Sequence, residues 1–160
     1  MDTTVNGTSV NYGSAGWDED AFVRAFEACE YPPEKFRHAD HIRLAWIYLR
    51  RYGTKGAEER IRTSIRNFAT SVGHAPKYHE TMTLAWLRLV EAAYTATPEL
   101  TDYVAFVSQH PALLDKNALS SFYSPQVLAC EQARHQWIAP DLKPLPAPAR
   151  KPASAPFPVR

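Results

Sequence analysis

Glycine is scarce in this chain and confined to one end of it. Only 6 of 160 residues are glycine, and none follows Gly73. Neither GxGxxG nor GxxxxGK[ST] occurs, which excludes a nucleotide fold built on a Gly-rich phosphate loop. Cysteine is nearly missing too: Cys29 and Cys130 are the only two, without CxxC spacing. That usage fits a reducing cytosol better than a disulfide framework. Charge of one sign is not in excess, with 18 Lys plus Arg against 17 Asp plus Glu. A dedicated nucleic-acid binder normally carries a basic surplus or face, so no nucleic-acid partner is expected. No uncharged run approaches the roughly 20 apolar residues of a membrane span. No basic start followed by an apolar run marks a secretory leader. The expectation is one cytoplasmic domain with no membrane partner. GxSxG is also absent, which leaves Ser120, Ser121 and Ser124 without the setting of a serine nucleophile.

Proline is what the chain has instead. Seven of its 13 prolines fall between Pro140 and Arg160. Proline fixes φ and lacks an N–H, so such a run reads as extended or loose chain. The opening residues, rich in Thr, Asn, Ser and Gly, read as loose as well. The expected organisation is a flexible N-terminal segment over 1–16, a helical domain over 17–146 and a Pro-rich flexible tail over 147–160. The PLPAP stretch of the tail is a weak match to a ligand for an SH3-like groove, and linkers are the commoner use of such tails.

Between Trp17 and Trp137 apolar residues recur at three and four. Helices are predicted over Asp18–Glu30, Ala39–Tyr52, Gly56–Val72, Tyr78–Thr95 and Glu99–Gln109. Shorter pieces are predicted over Leu114–Phe122 and Pro125–Trp137. Gly53, Gly73, Pro98 and Pro111 stand where these segments end, as helix stops do. No segment alternates with period two. The predicted fold is all-α, a single-domain irregular bundle of five to seven helices.

Three histidines fall in two short clusters, FRHADH (Phe36–His41) and KYHET (Lys77–Thr81), and both clusters open predicted helices. At about 100° per residue, His38 falls on the Ile42/Ala45/Trp46/Leu49 stripe with His41 at its edge. His79 falls on the Thr83/Trp86/Leu87/Val90 face with Glu80 at its flank, whereas Asp40 points away. A helix N-terminus carries about half a positive charge, which disfavours imidazolium, and burial adds to the effect. Neutral imidazole is the form that ligates metals and acts as general base. His38, His41, His79 and Glu80 are therefore candidate ligands for Fe, Zn, Mn or Cu, and with Tyr78 the candidate catalytic set. Trp46, Tyr48, Tyr78 and Trp86 could wall a small-molecule pocket. The plainer alternative makes each histidine a hydrogen-bonded core or capping residue and each aromatic a core residue. The spacing is not HExxH, so no established zinc signature is present. His74, His110 and His135 read as solvated or helix-end residues, and both cysteines as inert thiols.

The succession FRHADHIRLAWIYL, KYHETMTLAW, LLDKNALSSFYSP and IAPDLKPLP resembles a family of small all-helical bacterial proteins. The resemblance spans Phe36 to Pro146, with the pattern FxHxDHxRxAW, KYHET, LLDKxxLxxxYSP and PDLxPLP. It implies an all-helical fold and marks His38, Asp40, His41, Arg43, Lys77, Tyr78, His79 and Glu80 as motif positions. It further implies that Asp115, Lys116, Tyr123 and the PDLKPLP stretch pack on the body, with an extension beyond Ala147 peculiar to this chain. We add Arg43, Lys77 and Tyr123 to Trp46, Tyr48 and Trp86 as substrate-binding residues.

Two functions follow. One is an enzyme acting on a small organic molecule, with a divalent transition metal at the histidines, or with His38 and His79 as acid and base without a metal. Tyr78 or Tyr123 would donate the proton. The other is a non-catalytic ligand-binding or interaction module with structural buried histidines. A cavity lined by the histidines and Trp46 or Trp86 would favour the enzyme.

Overall fold

The structure, a computed structural model, describes residues 13–149. It is all-α, with six α-helices and no strand among the described residues. They are α1 (Glu19–Glu27), α2 (His38–Ser71), α3 (Glu80–Ala96), α4 (Tyr103–Gln109), α5 (Pro125–Ala129) and α6 (Glu131–His135). The expected looseness of the N-terminal segment and of the Pro-rich tail falls largely on 1–12 and 150–160, outside the described residues. No helix among the described residues is long and apolar enough to cross a membrane.

Five of the six helices start where a cap side chain accepts from one of the first free N–H groups. Asp18 caps α1 by accepting from Ala21, Asp102 caps α4 by accepting from Ala105, and Ser124 caps α5 by accepting from Val127. The caps also explain where the elements are shorter than the periodicity predicts. The run Glu99–Gln109 is helical only after Asp102, and α3 opens at Glu80 because His79 is its cap. The expected Pro125–Trp137 piece breaks at Cys130, whose extended backbone (φ −76°, ψ 147°) lets its Sγ cap α6. Leu114–Phe122 forms no α-helix; the chain there makes 3₁₀ turns at Pro111–Leu114 and Ala118–Ser121.

The long α2 consists of the two predicted helices joined at Gly53, whose φ of 71° and ψ of −175° are non-helical. That conformation is open essentially to glycine alone. The bend also brings Tyr52 against Gly56, where an added Cβ would lie 2.6 Å from the Tyr52 Cβ. The Arg60 guanidinium covers the Tyr52 ring at 4.1 Å across the bend. The first arm of α2 is buried almost all round: Ile42, Leu44, Ala45, Trp46, Ile47, Tyr48 and Leu49 are all core residues. α1 packs on one side of it and α3 on another. Fully burying each large side chain stabilises by about 1.5–3 kcal/mol. Phe22 and Phe26 from α1, Phe106 from α4 and Tyr123 make this core continuous.

The segment after α6 lies on the body, as the resemblance implies. Tyr123 donates to the Ile138 carbonyl at 2.8 Å, Leu142 N–H to the Phe122 carbonyl at 2.9 Å, and Ser124 N–H to Asp141 at 2.8 Å. Leu145 packs against the core. Thr81 at the start of α3 donates to the Gln136 carbonyl at 2.8 Å and accepts from Ile138 N–H at 3.1 Å.

Placing a side chain at Gly53 forces an L-residue into glycine-only backbone. Gly53→Ala should cost about 2 kcal/mol in urea unfolding. A loss below about 0.5 kcal/mol, the range of neutral surface changes, would show that the bend does not need glycine.

Candidate functional site

A cavity of about 660 Å³ opens between the start of α2, its second arm, and the start of α3. Its walls are mainly apolar, with Phe36, Ile65, Phe68, Val72, Met82 and Trp86 contributing. Of the predicted residues, His38, His41, Lys77, Tyr78, His79 and Trp86 line it. Six of the eleven residues singled out in the sequence thus line one cavity.

His38 is the first residue of α2. Its Nε2 lies 2.7 Å from the Leu113 carbonyl, an acceptor only, so Nε2 carries the proton and Nδ1 keeps its lone pair. No described residue bonds that Nδ1. The ring stands edge-on to Trp86 at 4.4 Å between centroids. Burial lowers the His38 pKa below the ordinary value; the Leu113 carbonyl and the charge of Asp115 oppose this, and Lys116 reinforces it. His41, one turn further on, makes no side-chain hydrogen bond among the described residues, and its Nε2 is sealed in the protein without a partner. Its pKa is pushed down from 6.5 to about 3, first by burial and then by the neighbouring His38. Two neutral imidazoles thus share one wall, and protonating either makes the other harder to protonate.

His79 is committed elsewhere. Its Nδ1 accepts from Met82 N–H at 3.0 Å as the cap of α3, and its Nε2 donates to the Leu128 carbonyl at 2.9 Å. Both ring nitrogens are spent, so the expected role of His79 as ligand, acid or base is corrected to that of a capping residue. Its pKa is lowered by burial. Glu80 is buried and accepts from Tyr78 Oη at 2.6 Å and Arg62 Nε at 3.2 Å, and it does not line the cavity. The expected four-donor metal set is therefore not assembled. Among the described residues no group of three or more His, Cys, Asp or Glu is placed to hold a metal ion. Tyr78 lines the cavity, but its proton points at Glu80, and burial followed by that bond raises its pKa. It presents an acceptor oxygen in place of the expected proton donor.

Five predicted residues lie away from the cavity. Trp46 is core, stacked on Phe106 at 5.5 Å. Tyr48 is core, its hydroxyl between Glu27 and Ser64 at 2.8 Å each. Tyr123 is core with its hydroxyl on Ile138, and burial pushes its pKa up to about 12. Arg43 is buried and donates to the Ser14 carbonyl and, at 2.9 Å, to the Trp17 carbonyl, so it ties down the chain before α1. Glu80 is the fifth. Asp40, expected to point away, is fully buried. The residues that sequence reasoning left out of the site include Thr83, Met82 and Lys116. Thr83 shares the predicted inward face of α3, and Lys116 lies in the LLDK motif, so both carried a signal.

Comparison with known proteins returns no match: no family model fits the chain, and no curated protein or solved structure matches it.

The contrast between His41 and His79 is measurable. Replacing a buried unpaired polar group by an apolar one of similar shape is near-neutral or stabilising, whereas losing a cap and a carbonyl partner is not. His41→Phe should change stability by less than about 1 kcal/mol, and His79→Ala should cost about 2 kcal/mol, both read by urea unfolding. Equal losses at the two sites would contradict these roles.

Acid should expose the buried state of His41. The unfolded chain takes up a proton near pH 6.5, while the folded protein refuses it until about pH 3. Stability should therefore fall as pH drops through this window, by up to about 1.4 kcal/mol per pH unit for this histidine. His38 and His79 shift in the same direction and add to the upper part of the limb. His41→Phe should flatten the limb, and the wild-type His41 ring signals should stay at their neutral position down to pH 4 in NMR. A ring titrating near pH 6 would refute the assignment.

Proposed function

We propose that this chain is an enzyme that acts on a small organic molecule held in the cavity, by acid–base chemistry of the His38–His41 pair without a metal. The observation that carries this reading is His41: a neutral imidazole in the wall of an apolar cavity whose Nε2 has no partner. An unsatisfied buried polar group costs about 1–3 kcal/mol; Arg43 Nε and Trp46 Nε1 are also buried without a partner, and of the three residues only His41 lines the cavity. His38 is the base. The Leu113 carbonyl holds its Nε2–H and so fixes the tautomer that leaves Nδ1 free to take a proton. His41 stands beside that base as a second neutral imidazole, which burial and the charge of a protonated His38 keep from taking a proton of its own. Tyr78 and Thr83 stand on the cavity wall as further polar residues. A metal-assisted route would need His79 and Glu80 to leave Met82, Leu128, Tyr78 and Arg62. The cavity also serves a ligand-binding module, and turnover separates the two readings.

Wild-type protein and His38→Ala should be incubated with a cellular metabolite extract, with and without chelator, and followed by mass spectrometry. One compound should be consumed by the wild type in chelator and left untouched by the variant. A compound retained unchanged by both proteins would replace the enzyme with a binding module. Activity lost in chelator, together with stoichiometric transition metal in elemental analysis, would restore the metal.

A further inference from the structure

Resting on that reading of the cavity, we infer that its ligand is an apolar-bodied organic anion, a carboxylate on an aromatic or aliphatic frame. The histidines do not carry this inference; the mouth of the cavity does. Lys77 and Lys116 both line the cavity and both are exposed. Lys77 closes the 3₁₀ turn Ala75–Lys77 before α3, and Lys116 follows the turn Pro111–Leu114 whose Leu113 carbonyl holds His38. Two exposed lysines from separate segments thus line the same cavity.

Neither lysine forms an ion pair among the described residues. The one carboxylate on the cavity lining is Glu34, also exposed and without an ion pair. Inside, the titratable groups are neutral: burial lowers the pKa of His38 and His41, and the Tyr78 phenol keeps its proton. The lining therefore carries two lysines against one carboxylate, with Asp115 beside Lys116 as the nearest further acid, and its apolar part is walled by Phe36, Phe68 and Trp86. A molecule with a hydrophobic frame and one negative end satisfies both zones. A cationic ligand would meet two ammonium groups at the entrance and find no buried anion, since Asp40 and Glu80 do not line the cavity. A volume of about 660 Å³ accepts a frame of one or two rings or a medium-length chain.

A matched series tests this: 3-phenylpropanoate, 3-phenylpropan-1-ol and 3-phenylpropylamine, each titrated calorimetrically into the full chain. The carboxylate should bind most tightly, about fivefold better than the alcohol, and the amine worst. The preference should shrink as salt is raised, because the lysines are exposed. The double variant Lys77→Ala/Lys116→Ala changes only exposed side chains. It should lower carboxylate affinity to that of the alcohol and leave the alcohol unchanged. If alcohol and carboxylate bind equally to wild type, or the amine binds best, the anion inference falls while the cavity reading stands. If the double variant keeps the full carboxylate preference, the lysines are not its source and the inference falls. If none of the three binds, and His41→Phe is equally silent, the cavity reading falls with it.

Discussion

The fold and its candidate site depend on one buried carboxylate. Asp40, the third residue of α2, is fully buried and accepts from the backbone N–H groups of Arg37 and Ser14, and from Tyr31 Oη at 3.4 Å. A desolvated carboxylate is tolerable only when hydrogen bonds and a countercharge replace its water. The countercharge is Arg43, one turn along, which also binds the Ser14 and Trp17 carbonyls and lies against the Phe22 and Tyr103 rings. Burial and the nearby Asp40 charge push the Tyr31 pKa up to about 12, so its phenol remains a donor. This network fixes the first turn of α2 against the segment before α1, and that turn carries His38 and His41.

The start of α3 is fixed independently, and the two starts together make the cavity. His79 holds α3 to Leu128 of α5, while Glu80 takes Arg62 from the second arm of α2. Because α2 bends at Gly53, its second arm can reach the α3 start and close the cavity with Ile65, Phe68 and Val72. Trp86, two turns into α3, meets the His38 ring across the gap. Neither start alone has a pocket; the shape is a consequence of the bend and of two capped termini being locked to third parties.

Periodicity made the helices legible, because the 3.6-residue stripe is a property of local sequence and of burial together. It also put His38, His41, His79 and Trp86 near one another. Their roles were not legible, because a role depends on which hydrogen bonds a side chain has left after folding. Trp46 and Tyr48 show the limit. Both fall on buried positions of α2, but that helix is packed on several sides, and an inward direction does not say which neighbour is met. Arg43 and Asp40 look like surface charges in sequence, and only the fold reveals that they compensate each other in the interior. The split at Cys130 and the late start of α4 were missed for another reason: capping side chains override a continuing apolar pattern within one turn.

The same competition explains which groups at the two helix starts remain available for chemistry. A helix N-terminus presents free N–H groups, and any acceptor at the cap or the third position is drawn to them. Asp40 and His79 occupy such positions and are consumed by them. His38 and His41, at the first and fourth residues of α2, sit where no backbone N–H competes for their rings. Their environment then keeps them uncharged, through burial at both, through His38 at His41, and through Lys116 at His38. Any group that adds negative charge beside them must reverse part of that effect and raise their proton affinity. An anion bound beside this pair would for that reason be linked to its protonation, each favouring the other.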